Sequence, residues 1–165
     1  MHARPFIDSL DFASNGQQIS SDVLVEELSR LADVLSDTAG ELSYTIHGAV
    51  DKYGMPMLAL RIAGVCHLTC QRCMQAMDYN IQVTNSVMLR DQAALDRLDE
   101  DDVGEEYESV LADAHLDIWS LLEDEIILSL PFAPKHEVGM CQAVKEVRSQ
   151  QDESHPFAAL AKLKR

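Results

Sequence analysis

Aromatic residues make up only 5% of the 165 positions, so aliphatic side chains must supply most of any buried core. Cations are also scarce: 13 Lys and Arg stand against 28 Asp and Glu, a net charge of −15 at pH 7. That balance argues against a broad nucleic-acid-binding face, which needs clustered Lys and Arg to neutralise phosphates. No apolar run approaches the length of a membrane span. The start, Met1 to Asp8, carries Arg4 but no uninterrupted apolar stretch behind it, unlike a secretory signal. A cytoplasmic protein is expected, with no membrane attachment and with reduced thiols. Also missing are a nucleophile–base pair, a phosphate-cradling glycine loop and a paired-carboxylate cleft. No active site is legible, and the expectation is a protein that is not an enzyme.

What is present is ordinary in bulk, with 47% hydrophobic and 25% charged residues. The length suits one domain over residues 1–165. The acidity is concentrated. Between Asp91 and Glu125 stand 8 Asp and 6 Glu against the single base Arg97. Such a block reads as a solvated surface, or as a docking face for a basic protein.

Hydrophobic spacing places the elements. Leu24, Leu28, Leu31 and Leu35 form a three–four stripe, which predicts an amphipathic helix from Ser20 to Ser36. Leu42, Tyr44, Ile46 and Gly48 alternate with polar residues, and 51–56 supply a turn. Leu58 to Cys70, then Tyr79 to Leu89, repeat the two-residue period, so three strands with short connections predict an antiparallel meander. Residues 91–108 lack apolar periodicity and are expected as an acidic loop, with a short strand at Val110 and Leu111. Asp117 can cap a helix over 117–130 that Pro131 stops. Residues 145–165 read as a loose tail with a short helix at Pro156 to Leu160. The fold class expected is α+β: an antiparallel sheet packed with an N-terminal helix and the helix near 117–130.

Chemistry gathers at Cys70-Gln71-Arg72-Cys73, answered downstream by His136 and Cys141. Three readings are open. Three thiolates and an imidazole are a common closed zinc set, structural because no coordination position is left free. The cysteines can instead be inert core and turn residues. Arg72 can also lower a neighbouring thiol's pKa and make the pair redox-active, though no thioredoxin-like pattern surrounds it. Cys66 lies on the apolar strand face with Leu68 and reads as core. His47, His67, His115 and His155 read as surface residues, and Glu123, Asp124 and Glu125 point in different directions on their helix.

The combination of Cys70-Gln71-Arg72-Cys73, the run Glu123 to Pro131, His136 with Cys141, and the ending Pro156 to Lys164 resembles the large ribosomal RNA subunit accumulation protein (YceD) family. The resemblance covers roughly residues 40 to 165. It implies a bacterial cytoplasmic, non-enzymatic factor for accumulation or processing of large-subunit (23S) ribosomal RNA in ribosome biogenesis. Cys70, Cys73, His136 and Cys141 carry over as the ligand set, with zinc as the expected structural metal. The expected partner is a basic ribosomal or rRNA-processing protein held by the acidic segment. Lys162, Lys164 and Arg165 are expected to touch RNA weakly. The alternatives are a zinc-binding module with direct RNA binding, or an RNA-processing or redox enzyme.

Overall fold

The computed structural model describes residues 4–98 and 108–141. Its centre is a mixed five-stranded sheet in the order β2-β3-β4-β5-β6, from β2 (Gln18–Leu24), β3 (Glu41–Val50), β4 (Pro56–Thr69), β5 (Ala76–Arg90) and β6 (Glu108–Leu111). β2 to β5 are antiparallel neighbours, which is the expected meander with one strand added, and β6 runs parallel to the end of β5. Two-residue strands β1 (Phe6–Ile7) and β7 (Leu116–Asp117) pair separately. The helices are α1 (Ser9–Ser14), α2 (Gln92–Leu98) and α3 (Ile118–Ser129). The α+β class therefore holds.

One sheet face is apolar because the strand period puts Leu42, Tyr44, Ile46, Leu58, Leu60, Ile62, Cys66, Ile81 and Val83 on the same side. They share a core with Phe12 and Ala13 of α1 and Ile118, Trp119, Leu122 and Ile126 of α3. Gly48 lets α1 lie directly on β3, since a Cβ there would sit 2.3 Å from the Phe12 carbonyl oxygen. The opposite face is polar, and Ser43, Thr45, Arg61, Gln82 and Thr84 line a shallow open depression on it.

The helix expected over Ser20 to Ser36 is not there. Its first residues are β2, and Val25–Glu27 form a short 3₁₀ turn. The chain continues in separate three-residue steps: Leu28 N donates to Val25 O, Leu31 N to Leu28 O and Val34 N to Leu31 O, each at 3.0–3.1 Å. Val25, Leu28 and Leu31 are thereby fully buried, so the stripe is a core face as expected, wound by a different backbone. A seven-residue ladder with β3 outweighs the modest propensity of a lone helix. The N-terminal helix lies earlier, at α1, where the Asp8 carboxylate accepts from Asp11 N at 3.0 Å. In the acidic segment, Gln92–Leu98 is helical where a loop was expected, and residues 99–107 lie outside the described ones. The tail at 145–165, including His155, does as well. Val110 and Leu111 do join a strand, and α3 starts on its Asp117 cap as read.

Candidate metal centre

β4 and β5 are joined by a tight knuckle. Its neck is closed by Cys70 N donating to Gln75 O at 2.9 Å and by Met74 N donating to Cys70 O at 2.8 Å. Met74 sits in the left-handed region at φ 59, and the turn there lets Cys73 face back toward Cys70. The second half arrives from α3. Leu130 ends the helix, Pro131 prevents its continuation, and Gln71 N donates to Pro134 O at 2.8 Å, pinning the segment across the knuckle. A turn with Met140 N on Glu137 O (3.1 Å) and Gly139 at φ 90 then brings Cys141 in.

The four predicted residues converge. The ligating atoms of Cys70, Cys73, His136 and Cys141 all lie within 4.8 Å of one another. Cys70 Sγ is 3.7 Å from Cys141 Sγ, Cys73 Sγ is 3.4 Å from His136 Nδ1, and Cys141 Sγ is 3.7 Å from the same nitrogen. A tetrahedral ion with spokes of about 2.3 Å to sulfur and about 2.0 Å to nitrogen requires edges of about 3.8 Å (S···S) and about 3.5 Å (S···N). These three edges fit that polyhedron, and the four donors could hold a metal ion. They are much too long for disulfides, and all four cysteines of the chain are free thiols. Cys66 stays apart, fully buried in the core, where burial pushes its thiol up to about 11.

The local electrostatics are unusual. Burial alone would raise the Cys70 thiol, but it faces the backbone N–H groups of His136, Arg72 and Cys73 and the His136 ring, which together bring it down to about 5. His136 N lies 3.5 Å from Cys70 Sγ. Cys73 is pushed the other way: the Gln75 N–H favours its thiolate, but burial and the neighbouring Cys141 and Cys70 sulfurs prevail. One negative sulfur is thus welcome and the next is resisted. Arg72 is the cation at hand, with Nε donating to Cys141 Sγ at 2.9 Å and Nη2 to the His136 and Glu137 carbonyls at 3.4 and 3.3 Å. Its role as a fastener of the second segment is invisible in the sequence, because the carbonyls it holds lie more than sixty positions away.

Exposed apolar side chains stand around the cluster among the exposed polar residues Gln71, Arg72, Lys135 and Glu137. Met74 is 66% exposed, Met140 69%, Val138 96% and Phe132 fully exposed. Nothing in the hydrophobic period marks these residues; Phe132 and Val138 lie between Pro131 and Gly139, Met140 follows that glycine, and Met74 follows the Cys-x2-Cys pair. The acidic segment behaves differently. All eight of its described acids have internal hydrogen-bond partners. Glu123 is 2% exposed and accepts from Arg30 N at 2.8 Å, Asp124 pairs with the Arg30 guanidinium, and Glu125, 6% exposed, accepts from Asn85 Nδ2 at 2.9 Å. Of the remaining histidines, His47 and His115 lie at the surface as expected. His67 is held between Asp37 (Nδ1, 2.8 Å) and Asp78 (Nε2, 3.5 Å), and the Asp37 hydrogen bond raises its pKa. No helix among the described residues is long and apolar enough to cross a membrane.

A one-sided α+β sheet whose end carries a Cys-x2-Cys knuckle, closed by a His-x4-Cys segment from behind the last helix, defines a small protein stapled by a cysteine–histidine cluster. The chain belongs to the family described as large ribosomal RNA subunit accumulation protein YceD, which it matches over residues 58–164, a span that includes all four cluster residues. It is 28% identical over 150 residues to the large ribosomal RNA subunit accumulation protein YceD of Haemophilus influenzae, an alignment covering 84% of this chain and 82% of that protein. No solved structure matches it.

Proposed function

We propose that this protein is a cytoplasmic, non-enzymatic factor for accumulation or processing of large-subunit (23S) ribosomal RNA, acting through contacts with another protein. Family membership carries the RNA step. The observation that carries the mode of action is the fully exposed Phe132, with Val138 and Met140, on the segment clamped by the cluster. Large apolar side chains on a braced loop are costly to leave in water and serve as anchors when a partner covers them. In this reading Cys70, Cys73, His136 and Cys141 hold a structural zinc ion. Its double charge would relieve the resistance to the Cys73 thiolate, and a closed donor set leaves no position for substrate. The partner is a basic ribosomal or processing protein, drawn by the net charge of −15, with direct RNA contact a minor term.

The test is genetic. A strain lacking the gene is complemented with the wild-type chain or with Phe132→Ser/Val138→Ser, and precursor and mature 23S RNA are quantified. The double variant is expected to fold, keep its metal and fail to restore mature 23S RNA. Unchanged 23S RNA in the deletion strain would remove the proposed role. Full rescue by the double variant would remove the apolar docking face.

A further inference from the structure

The four cluster residues are not equivalent. Cys70 is fully buried and Cys73 nearly so, whereas Cys141 is partly exposed. Cys141 is also the sulfur that faces Arg72 Nε, at 2.9 Å, and the one 3.7 Å from Cys70 Sγ. Cys73 instead sits against the His136 ring at 3.4 Å. We propose that Cys141 is a site of oxidation by hydroperoxides and that Cys70 captures the product as a Cys70–Cys141 disulfide. This rests on the reading of the cluster as a metal-bound staple beneath a docking face.

The chemistry balances in two steps. The Cys141 thiolate attacks one peroxide oxygen, the O–O bond breaks, and hydroxide leaves, giving Cys141–S–OH. The Arg72 guanidinium is placed to stabilise that departing negative charge, which is then protonated by a solvent acid, hydronium or buffer. The Cys70 thiolate next attacks the Cys141 sulfur, the S–O bond breaks, and a second hydroxide leaves. Two thiolates supply two electrons; with two protons from the buffer, hydrogen peroxide becomes two waters, and an organic hydroperoxide becomes one alcohol and one water. The sulfurs must close by about 1.7 Å to reach a bond length of about 2.05 Å. Arg72 keeps its carbonyl contacts to His136 and Glu137 meanwhile, so the second segment stays at the knuckle during the change. Two of the four residues that would hold a metal are then consumed, so the site could no longer bind one with four donors, while the new S–S bond and Arg72 keep the second segment at the knuckle.

The experiment uses the full chain. Zinc content is measured first by atomic emission. Hydrogen peroxide is then added at neutral pH, zinc release is followed with a chromophoric chelator, and disulfides are mapped by non-reducing mass spectrometry. One zinc released per chain is expected, together with a Cys70–Cys141 linked peptide, and dithiothreitol with added zinc should reverse both. Arg72→Gln should slow the linkage on the order of tenfold, and Cys66→Ala should change nothing. Cys141→Ser should abolish the linkage, and Cys73→Ser should still form it, which keeps the test decisive if Cys141→Ser fails to fold. A first product linking Cys70 to Cys73, or Cys141 left unreacted while Cys73 is oxidised, overturns the proposal. Protein that never carries zinc overturns the staple reading alone, because disulfide mapping of that metal-free chain still judges the oxidation site.

Discussion

Glu123, Asp124 and Glu125 show how far adjacent residues of one type can diverge. A helix turns by roughly 100° per residue, so the three carboxylates leave α3 in three directions. Glu123 meets a backbone N–H of the 28–36 turns, Asp124 meets water and Arg30, and Glu125 is driven into the space beside Asn85. Glu125 is the costly one. Burial raises its pKa, Glu108 and Asp124 add to that, and the Asn85 hydrogen bond opposes it without prevailing. A carboxyl whose folded pKa lies above its unfolded value penalises folding once the unfolded chain ionises. The penalty is absent at pH below about 4 and fully present above the raised folded pKa. Glu125→Gln keeps the acceptor for Asn85 and removes the charge. It is expected to raise the melting temperature at pH 7, with the difference closing as the pH falls toward 4. An equal gain at both pH values would contradict the burial argument.

At the scale of elements, α3 is the part on which the site depends, because its end sets where the His136 and Cys141 segment begins. Its start rests on Asp117, which accepts from Trp119 N at 3.0 Å and Ser120 N at 3.3 Å and pairs with Arg4 Nε at 2.6 Å. Asp117→Ala removes the cap and the pair together and is expected to cost about 1–2 kcal/mol in denaturant unfolding. Asp117→Ser should recover the cap share of that loss but leave Arg4 without its carboxylate. A result in which Ser and Ala are equally destabilised would assign the loss to the ion pair instead.

For the whole molecule the cluster ties two distant pieces of chain, the β4–β5 knuckle and the loop behind α3, at one end of the sheet. A structural zinc ion held there, as proposed, would add folding free energy that the sheet core does not provide, since thiolates at this spacing repel one another without it. Stripping the protein with a strong chelator is therefore expected to lower its melting temperature by ten degrees or more, on the order seen when several kcal/mol are removed from a domain of this size. Cys70→Ser should do the same without chelator, whereas Cys66→Ala should leave metal stoichiometry unchanged. Insensitivity of the wild-type melting temperature to chelation would mean that the core alone holds the fold. Such a core is sizeable here, running from Phe12 through β2 to β5 and on to Ile126.

Local chemistry by itself determined the meander, the Asp117 cap, the Pro131 stop and the Cys70/Cys73 pair, while the wider set with His136 and Cys141 was one of three open readings and came through the family resemblance. The first four rest on short-range rules: alternation along a strand, a side-chain oxygen over the first helical N–H groups, a missing amide proton, thiols three positions apart. Tertiary structure decided what those rules cannot reach. The Leu24 to Leu35 stripe fits a helix on spacing, yet the open edge of β3 took Gln18–Leu24 as a strand and left Val25, Leu28 and Leu31 to be buried by successive tight turns. Likewise Glu123 and Glu125 read as surface charge until packing of α3 against the 28–36 turns and β5 enclosed them. Residues far apart in the chain become neighbours only once the sheet and helix have docked. That holds for Arg72 with Cys141 and for Arg30 with Glu123, and it is why the partners of both lay beyond any local pattern.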